Sequence, residues 1–106
     1  MRVLFDQGTP VPLRALLTGH KVATVYELGW SQLQNGELLR EAELAGYEVL
    51  VTTDQNLRYQ QNVSGRTLAI AVLMAASWPR IERHGAQVAA QIALLAPGSY
   101  AEIHIP

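Results

Sequence analysis

The sequence predicts a three-layer α/β/α sandwich, with helices on both faces of a mainly parallel sheet of four to five strands. Three observations carry that expectation. Short β-prone runs alternate with amphipathic helical segments four to five times along the chain. One run, Leu68-Ala69-Ile70-Ala71-Val72-Leu73, is apolar at every position, as suits a strand buried on both faces. Glycine and proline mark the joints, and no linker, internal repeat or low-complexity tract interrupts them.

The elements follow in order. Arg2-Val3-Leu4-Phe5 is a short β-prone run that ends at Asp6. Gly8, Pro10 and Pro12 punctuate the chain, and Pro12 suits the first turn of a helix, where its missing N–H costs nothing. Leu13, Leu16 and Leu17 follow at helical spacing, and Gly19 suits the exit from that helix. Lys21 to Leu28 reads as the second strand, ended by Gly29. Asn35 is placed to cap a helix over Gly36 to Ala45, with Leu38, Leu39, Ala42 and Ala45 on one face and Gly46 as its stop. Val49 to Thr52 is the third strand. The amide-rich segment Gln55 to Asn62 has room for one or two helical turns before Ser64-Gly65. Leu68 to Leu73 is the fourth strand. Pro79 opens the longest helix, running to about Leu95 with Ile81, Val88, Ile92 and Leu95 inward, and Tyr100 to Ile105 alternates as a last strand.

The chain has 106 residues, enough for one domain spanning positions 1–106. Hydrophobic residues make up 49% and charged residues 16%, the balance of a packed chain. Cysteine is absent, which removes disulfides, thiolate zinc sites and a cysteine nucleophile. A net charge of −1 supplies no basic field for tight non-specific nucleic-acid binding, so a nucleic-acid ligand would need a local site or the help of a partner. The first apolar run is too short for a signal peptide, and Leu68 to Ala76 falls short of the ~20 residues that span a bilayer. A cytoplasmic protein without membrane attachment is expected.

The acids point to chemistry. Asp6 ends the first strand, Glu27 lies near the end of the second, Glu37 starts the helix after it and Asp54 ends the third strand. In an open parallel sheet all strand C-termini share one rim, and ligands bind there where the strand order reverses. Asp6 and Asp54 are neighbours if strands one and three flank that point, with Glu37 near enough to lean toward them. Grouped carboxylates repel one another unless a cation sits between them, and a hard divalent ion takes one or two carboxylates, waters and substrate phosphates. Each acid also has a plain alternative: Asp6 and Asp54 stand where helix caps stand, and Glu37 is favourable at a helix N-terminus for its charge alone.

Five stretches, taken in order, resemble the PIN-like nuclease superfamily, in its short branch related to toxins of bacterial toxin–antitoxin modules. They are Arg2-Val3-Leu4-Phe5-Asp6-Gln7, Gly19-His20-Lys21-Val22, Glu27-Leu28-Gly29-Trp30, Asn35-Gly36-Glu37-Leu38-Leu39 and Val51-Thr52-Thr53-Asp54-Gln55-Asn56-Leu57. The resemblance implies a PIN-like fold and metal-dependent RNA cleavage, with Asp6, Glu37 and Asp54 holding Mg²⁺ or Mn²⁺ and positioning a water. It departs from the family at Asn35, Asn56 and Gln7, where acids are common. Asn35 and Asn56 then enter as amide ligands of the metal, with less negative charge to hold it. Thr53, Arg58 and Tyr59 follow as contacts to substrate: Arg58 suits a phosphate and Tyr59 a stacked base. The family further implies an antitoxin-like protein partner and a homodimer.

Other readings have less in their favour. A PIN-like module that has lost catalysis and acts through protein–protein interaction fits Asn35, Asn56 and the lack of basic surface. A phosphoacceptor receiver domain needs a second acid on the first strand and a lysine near the last, and the only lysine is Lys21. Asp6-Gln7-Gly8 offers no glycine-rich dinucleotide turn. No serine has the surroundings of a nucleophile. His20, His84 and His104 are scattered without metal-ligand spacing, and Arg66 is a weaker phosphate candidate.

Overall fold

In the computed structural model, which describes residues 1–106, the chain forms a five-stranded sheet in which every pair is parallel. The strands are β1 (Arg2–Phe5), β2 (Lys21–Thr24), β3 (Val49–Thr52), β4 (Ala69–Leu73) and β5 (Tyr100–Ile103), in the order β2-β1-β3-β4-β5. The chain moves outward from β1 to β2, then crosses back to place β3 on the other side of β1. The strand order therefore reverses between β1 and β3, which makes the crevice above them the switch point of the sheet.

Side chains alternate across the strands, and each face has its own core. Val3, Phe5, Val49, Val51, Ala69, Ala71 and Leu73 point to one face, where α3 (Trp78–Arg83) and α4 (Gly85–Ala93) bring Ile81, Val88 and Ile92. Leu4, Leu50, Ile70 and Val72 point to the other, covered by Leu38, Leu39 and Ala42 of α1 (Asn35–Leu44) and by Leu57 of α2 (Leu57–Gln60). β4 is buried along its whole length, as its unbroken apolar sequence requires. The three layers are those the sequence predicts.

Four segments differ from expectation. Val11–Leu16 is a 3-10 helix. Pro10 and Pro12 remove donors at its start, and the chain makes short i→i+3 bonds, Leu13 N–H to Pro10 and Leu17 N–H to Arg14. β2 stops at Thr24, well before Leu28, because Thr24 and Glu27 close a turn on each other. The Thr24 N–H donates to the Glu27 carboxylate at 2.9 Å, and the Glu27 N–H donates to the Thr24 hydroxyl at 3.1 Å. The cap of α1 is Gln34, in a capping box with Glu37, which makes Asn35 the first helical residue. The long C-terminal helix is two helices broken at His84, whose φ and ψ of −116° and 21° leave the helical region. Gly85 then brings α4 so close to the 3-10 helix that a β-carbon there would meet the Leu16 side chain.

Glu43 has more to do than its place on a polar helix face suggests. Its carboxylate accepts from Arg66 at 2.7 Å, from the Thr67 N–H at 2.9 Å and from the Thr67 hydroxyl at 3.0 Å. That clamp ties α1 to the loop entering β4, and it occupies Arg66 at the end of the sheet away from the strand C-termini.

Gly98 and Gly65 have matched backbones, with φ of +73° and +72°. A β-carbon on Gly98 would fall on the Arg66 carbonyl, whereas Gly65 has nothing within 4 Å. Gly65→Ala is expected to cost only the left-handed conformation, about 1–2 kcal/mol. Gly98→Ala should cost that and the clash, at least about 3 kcal/mol in all. The difference in urea midpoint between the two variants checks it.

Candidate active site at the sheet switch point

Parallel pairing of β1 with β3 sets Phe5 against Val51, and the Asp6 N–H continues the ladder to the Val51 carbonyl at 2.9 Å. Asp6 and Thr52 therefore leave the sheet side by side. The Thr52 hydroxyl donates to Asp6 Oδ2 at 2.9 Å and accepts the Asp54 N–H at 3.1 Å. Thr52 is fully buried, so this one hydroxyl links both acids from beneath.

The remaining oxygens are held locally. Asp6 Oδ1 accepts the Gln7 N–H at 2.8 Å. Asp54 Oδ1 accepts the Asn56 N–H at 3.0 Å, and Asp54 Oδ2 accepts the Asn35 amide at 3.3 Å. Asn35 also donates to Gln60 at 3.4 Å, which joins the first turn of α1 to α2 over the rim. Burial pushes the Asp6 carboxyl above the ordinary aspartate range. The bonds from Thr52 and Gln7 oppose this, and the nearby Asp54 charge adds to it. Two carboxylates thus share the switch point closely enough for one to disfavour the other's ionisation.

The residues expected at the site divide into two groups. Asp6, Asp54 and Asn35 are brought together, with Thr53 beside them against Gly8. Asn35 presents its amide nitrogen to Asp54, so it serves the pair as a hydrogen-bond donor. Asn56 contributes its backbone N–H to Asp54, and its side chain is exposed. Glu37 does not join them. It is exposed, its carboxylate is turned back on the Gln34 N–H at 3.4 Å, and no three acidic or histidine side chains group as ligands for one ion. Arg58 points away as well: it bonds the Tyr59 hydroxyl at 2.6 Å and lies over the Tyr59 and Tyr100 rings, 3.5 Å from Glu102 on β5. Tyr59 is 72% exposed beside it.

From the sequence, Thr52 could line the rim or bond the sheet edge, or stand there for β propensity alone; that its hydroxyl serves both acids is seen only in the structure. Sequence reasoning passed over a cleft of about 440 Å³ between Asp6 and the end of β2. It is lined by Val11 and Arg14 of the 3-10 helix and by Tyr26 and Glu27 of the turn after β2. Arg14 and Glu27 form a two-pronged ion pair at 2.6 and 3.1 Å in its wall. A second hollow of about 350 Å³ lies at the opposite end of the sheet, near Tyr47 and Glu43. No helix is long and apolar enough to cross a membrane.

The raised Asp6 pKa has a consequence for stability. The native state holds the Asp6 proton to higher pH than the unfolded chain does, so the contribution of Asp6 to stability is lost as pH rises through the ordinary aspartate value of about 3.9 toward the folded value. Asp6→Asn, whose amide can still accept from Gln7 and donate to Thr52, removes that loss. Its urea midpoint is expected to exceed wild type at pH 7, and the gain is expected to shrink below pH 3.9. In Asp54→Asn, the Asp6 carboxyl should titrate at lower pH by carbon-13 NMR, since one of the causes raising it is gone.

Compared with protein-family models, with curated proteins and with solved structures, the chain matches none.

Proposed function

We propose that the chain is a divalent-cation-dependent ribonuclease of PIN-like type that works with a reduced acidic pair, Asp6 and Asp54. The observation that carries this reading is the meeting of those two carboxylates at the switch point over one buried hydroxyl. The order of motifs along the sequence supports the same assignment.

The donor set suits a hard ion. Mg²⁺ is held by one or two carboxylates and keeps several waters for substrate phosphates, and Mn²⁺ takes the same oxygen ligands. Asp6 Oδ1 and Oδ2 each accept one bond and have capacity for another, as do both Asp54 oxygens. A bound divalent ion supplies charge neutralisation at the phosphate and a more acidic water. The chain's own residues do the positioning. Thr52 and the Gln7 N–H fix the Asp6 carboxylate, while Asn35 and the Asn56 N–H fix that of Asp54. With the ion bound, the two carboxylates would hold it and its acidified water would supply the nucleophile. Glu37 holds the first turn of α1 in place, and with it Asn35. In this reading the protein partner is antitoxin-like and the location is the cytoplasm.

One observation favours a second reading. With Glu37 committed to its cap, the rim has two carboxylates rather than three, which weakens ion binding and suits a PIN-like module that only binds a partner.

Cleavage of a mixed RNA pool with added Mg²⁺ or Mn²⁺ separates the two. Wild type is expected to cut only with the ion, and Asp6→Asn and Asp54→Asn should each lose on the order of a hundredfold or more in rate. Glu37→Gln preserves the capping box and should cut like wild type. Asn35→Asp adds a carboxylate next to Asp54 and should tighten Mn²⁺ binding in calorimetry. RNA left intact at every ion concentration, with no ion bound, would reject the nuclease reading in favour of the binding module.

A further inference from the structure

We infer that the cleft beside Asp6 is a base-binding subsite, taking one unpaired nucleobase that carries an exocyclic amino group. It rests on the ribonuclease reading for the strand that delivers the base, but its contacts are its own.

Position comes first. Asp6 belongs both to the carboxylate pair and to the cleft wall, so a chain whose phosphate lies at the pair has its neighbouring base at the cleft mouth. The volume of about 440 Å³ lies within the range of small-molecule pockets, roughly 300–1,000 Å³. Tyr26 lines the cleft and is 81% exposed, and Val11 lines it and is 54% exposed. An aromatic ring left this open at a pocket mouth offers a face for stacking, which any base can use.

Charge then narrows the ligand. Arg14 is the only cation in the lining, and each of its terminal nitrogens gives one N–H to Glu27, whose carboxylate offsets its charge. Its Nε–H has no acceptor but is buried out of a ligand's reach. With the Asp6 carboxylate also in the wall, a phosphate finds no net positive charge here. The acceptors are different. Glu27 Oε1 is filled by Arg14 and Thr24, yet Oε2 accepts from Arg14 alone, while the spare capacity of the Asp6 oxygens belongs to the ion at the pair. A carboxylate oxygen accepts two bonds, so the cleft wall holds one unfilled carboxylate acceptor at Glu27. It favours a flat ring with an amino edge over one with carbonyls alone. Adenine, cytosine and guanine carry that group, and uracil does not.

The test uses the full-length, nitrogen-15-labelled protein without divalent ion, titrated with adenosine, cytidine, uridine and, separately, inorganic phosphate. Adenosine and cytidine are expected to shift the amides of residues 24–27 and to bind about tenfold tighter than uridine, as a bond to a charged acceptor allows. Phosphate should leave those amides in place. Tyr26→Ala should weaken adenosine about tenfold, and Tyr26→Phe should restore it. Unmoved amides at millimolar adenosine, equal binding of uridine, or a Tyr26→Ala protein that binds as wild type would each overturn the subsite. RNA cutting is read on the same samples. Cutting with adenosine unbound fails the subsite alone, and adenosine bound at the cleft without cutting fails the ribonuclease reading alone.

Discussion

The C-terminal rim depends on one contact, the pairing of β1 with β3. Asp6 and Thr52 are neighbours only because Phe5 and Val51 are in register, and the Thr52 hydroxyl reaches both acids only because it leaves the sheet between them. A slip of one residue would turn every side chain of the strand to the opposite face and send Thr52 into a core. The register is held from both sides of the sheet. Phe5 and Val51 sit in the core under α3 and α4, and Leu4 and Leu50 in the core under α1. The apolar packing that stabilises the fold therefore also sets the spacing of the polar groups above it.

Polar commitments within the molecule decide which residues are free to act. Glu37, Glu43 and Arg66 are all charged, and all are used to join segments: the first caps α1, and the other two close a clamp at the far end of the sheet. Arg14 and Glu27 neutralise one another in the wall of the cleft. The carboxylates of Asp6 and Asp54 differ from Glu43 and Glu27 in having no cationic partner among the ion pairs. They are stabilised by neutral donors alone, which leaves their charge available to a ligand. Removal of the Asn35 amide would loosen Asp54 and, through Gln60, the seating of α2.

The strands and their layers were legible in the sequence because apolar alternation and full apolarity report burial directly, as Leu68 to Leu73 does. The meeting of Asp6 and Asp54 was legible for a similar reason, since strand-end acids in a parallel sheet share a rim. Glu37 was not, because its spacing to the cap residue and its spacing to the site are both satisfied by the same sequence. A local hydrogen bond three residues away prevails over a distant site. The end of β2 was hidden in a run of β-prone residues, where the Thr24–Glu27 turn overrides propensity. The break at His84 was hidden because both halves carry one continuous helical pattern. In the structure the break falls next to Gly85, whose backbone packs against Leu16. Arg58 was misplaced for want of β5: nothing near it in sequence indicates Glu102 and Tyr100 as its partners.

The all-parallel sheet also shapes how the molecule assembles. Without a single hairpin, no strand pair can zip up from a tight turn, and each must wait for a crossover to fold and close. Thr52 and Asp6 lie 46 residues apart, so a long loop must close before their hydrogen bond can form. Such non-local topologies reach the native state slowly. The polar pair at the rim cannot form before β1 and β3 dock, and a half-formed chain with β1 and α1 in place but β3 undocked carries neither the paired acids nor the buried hydroxyl between them.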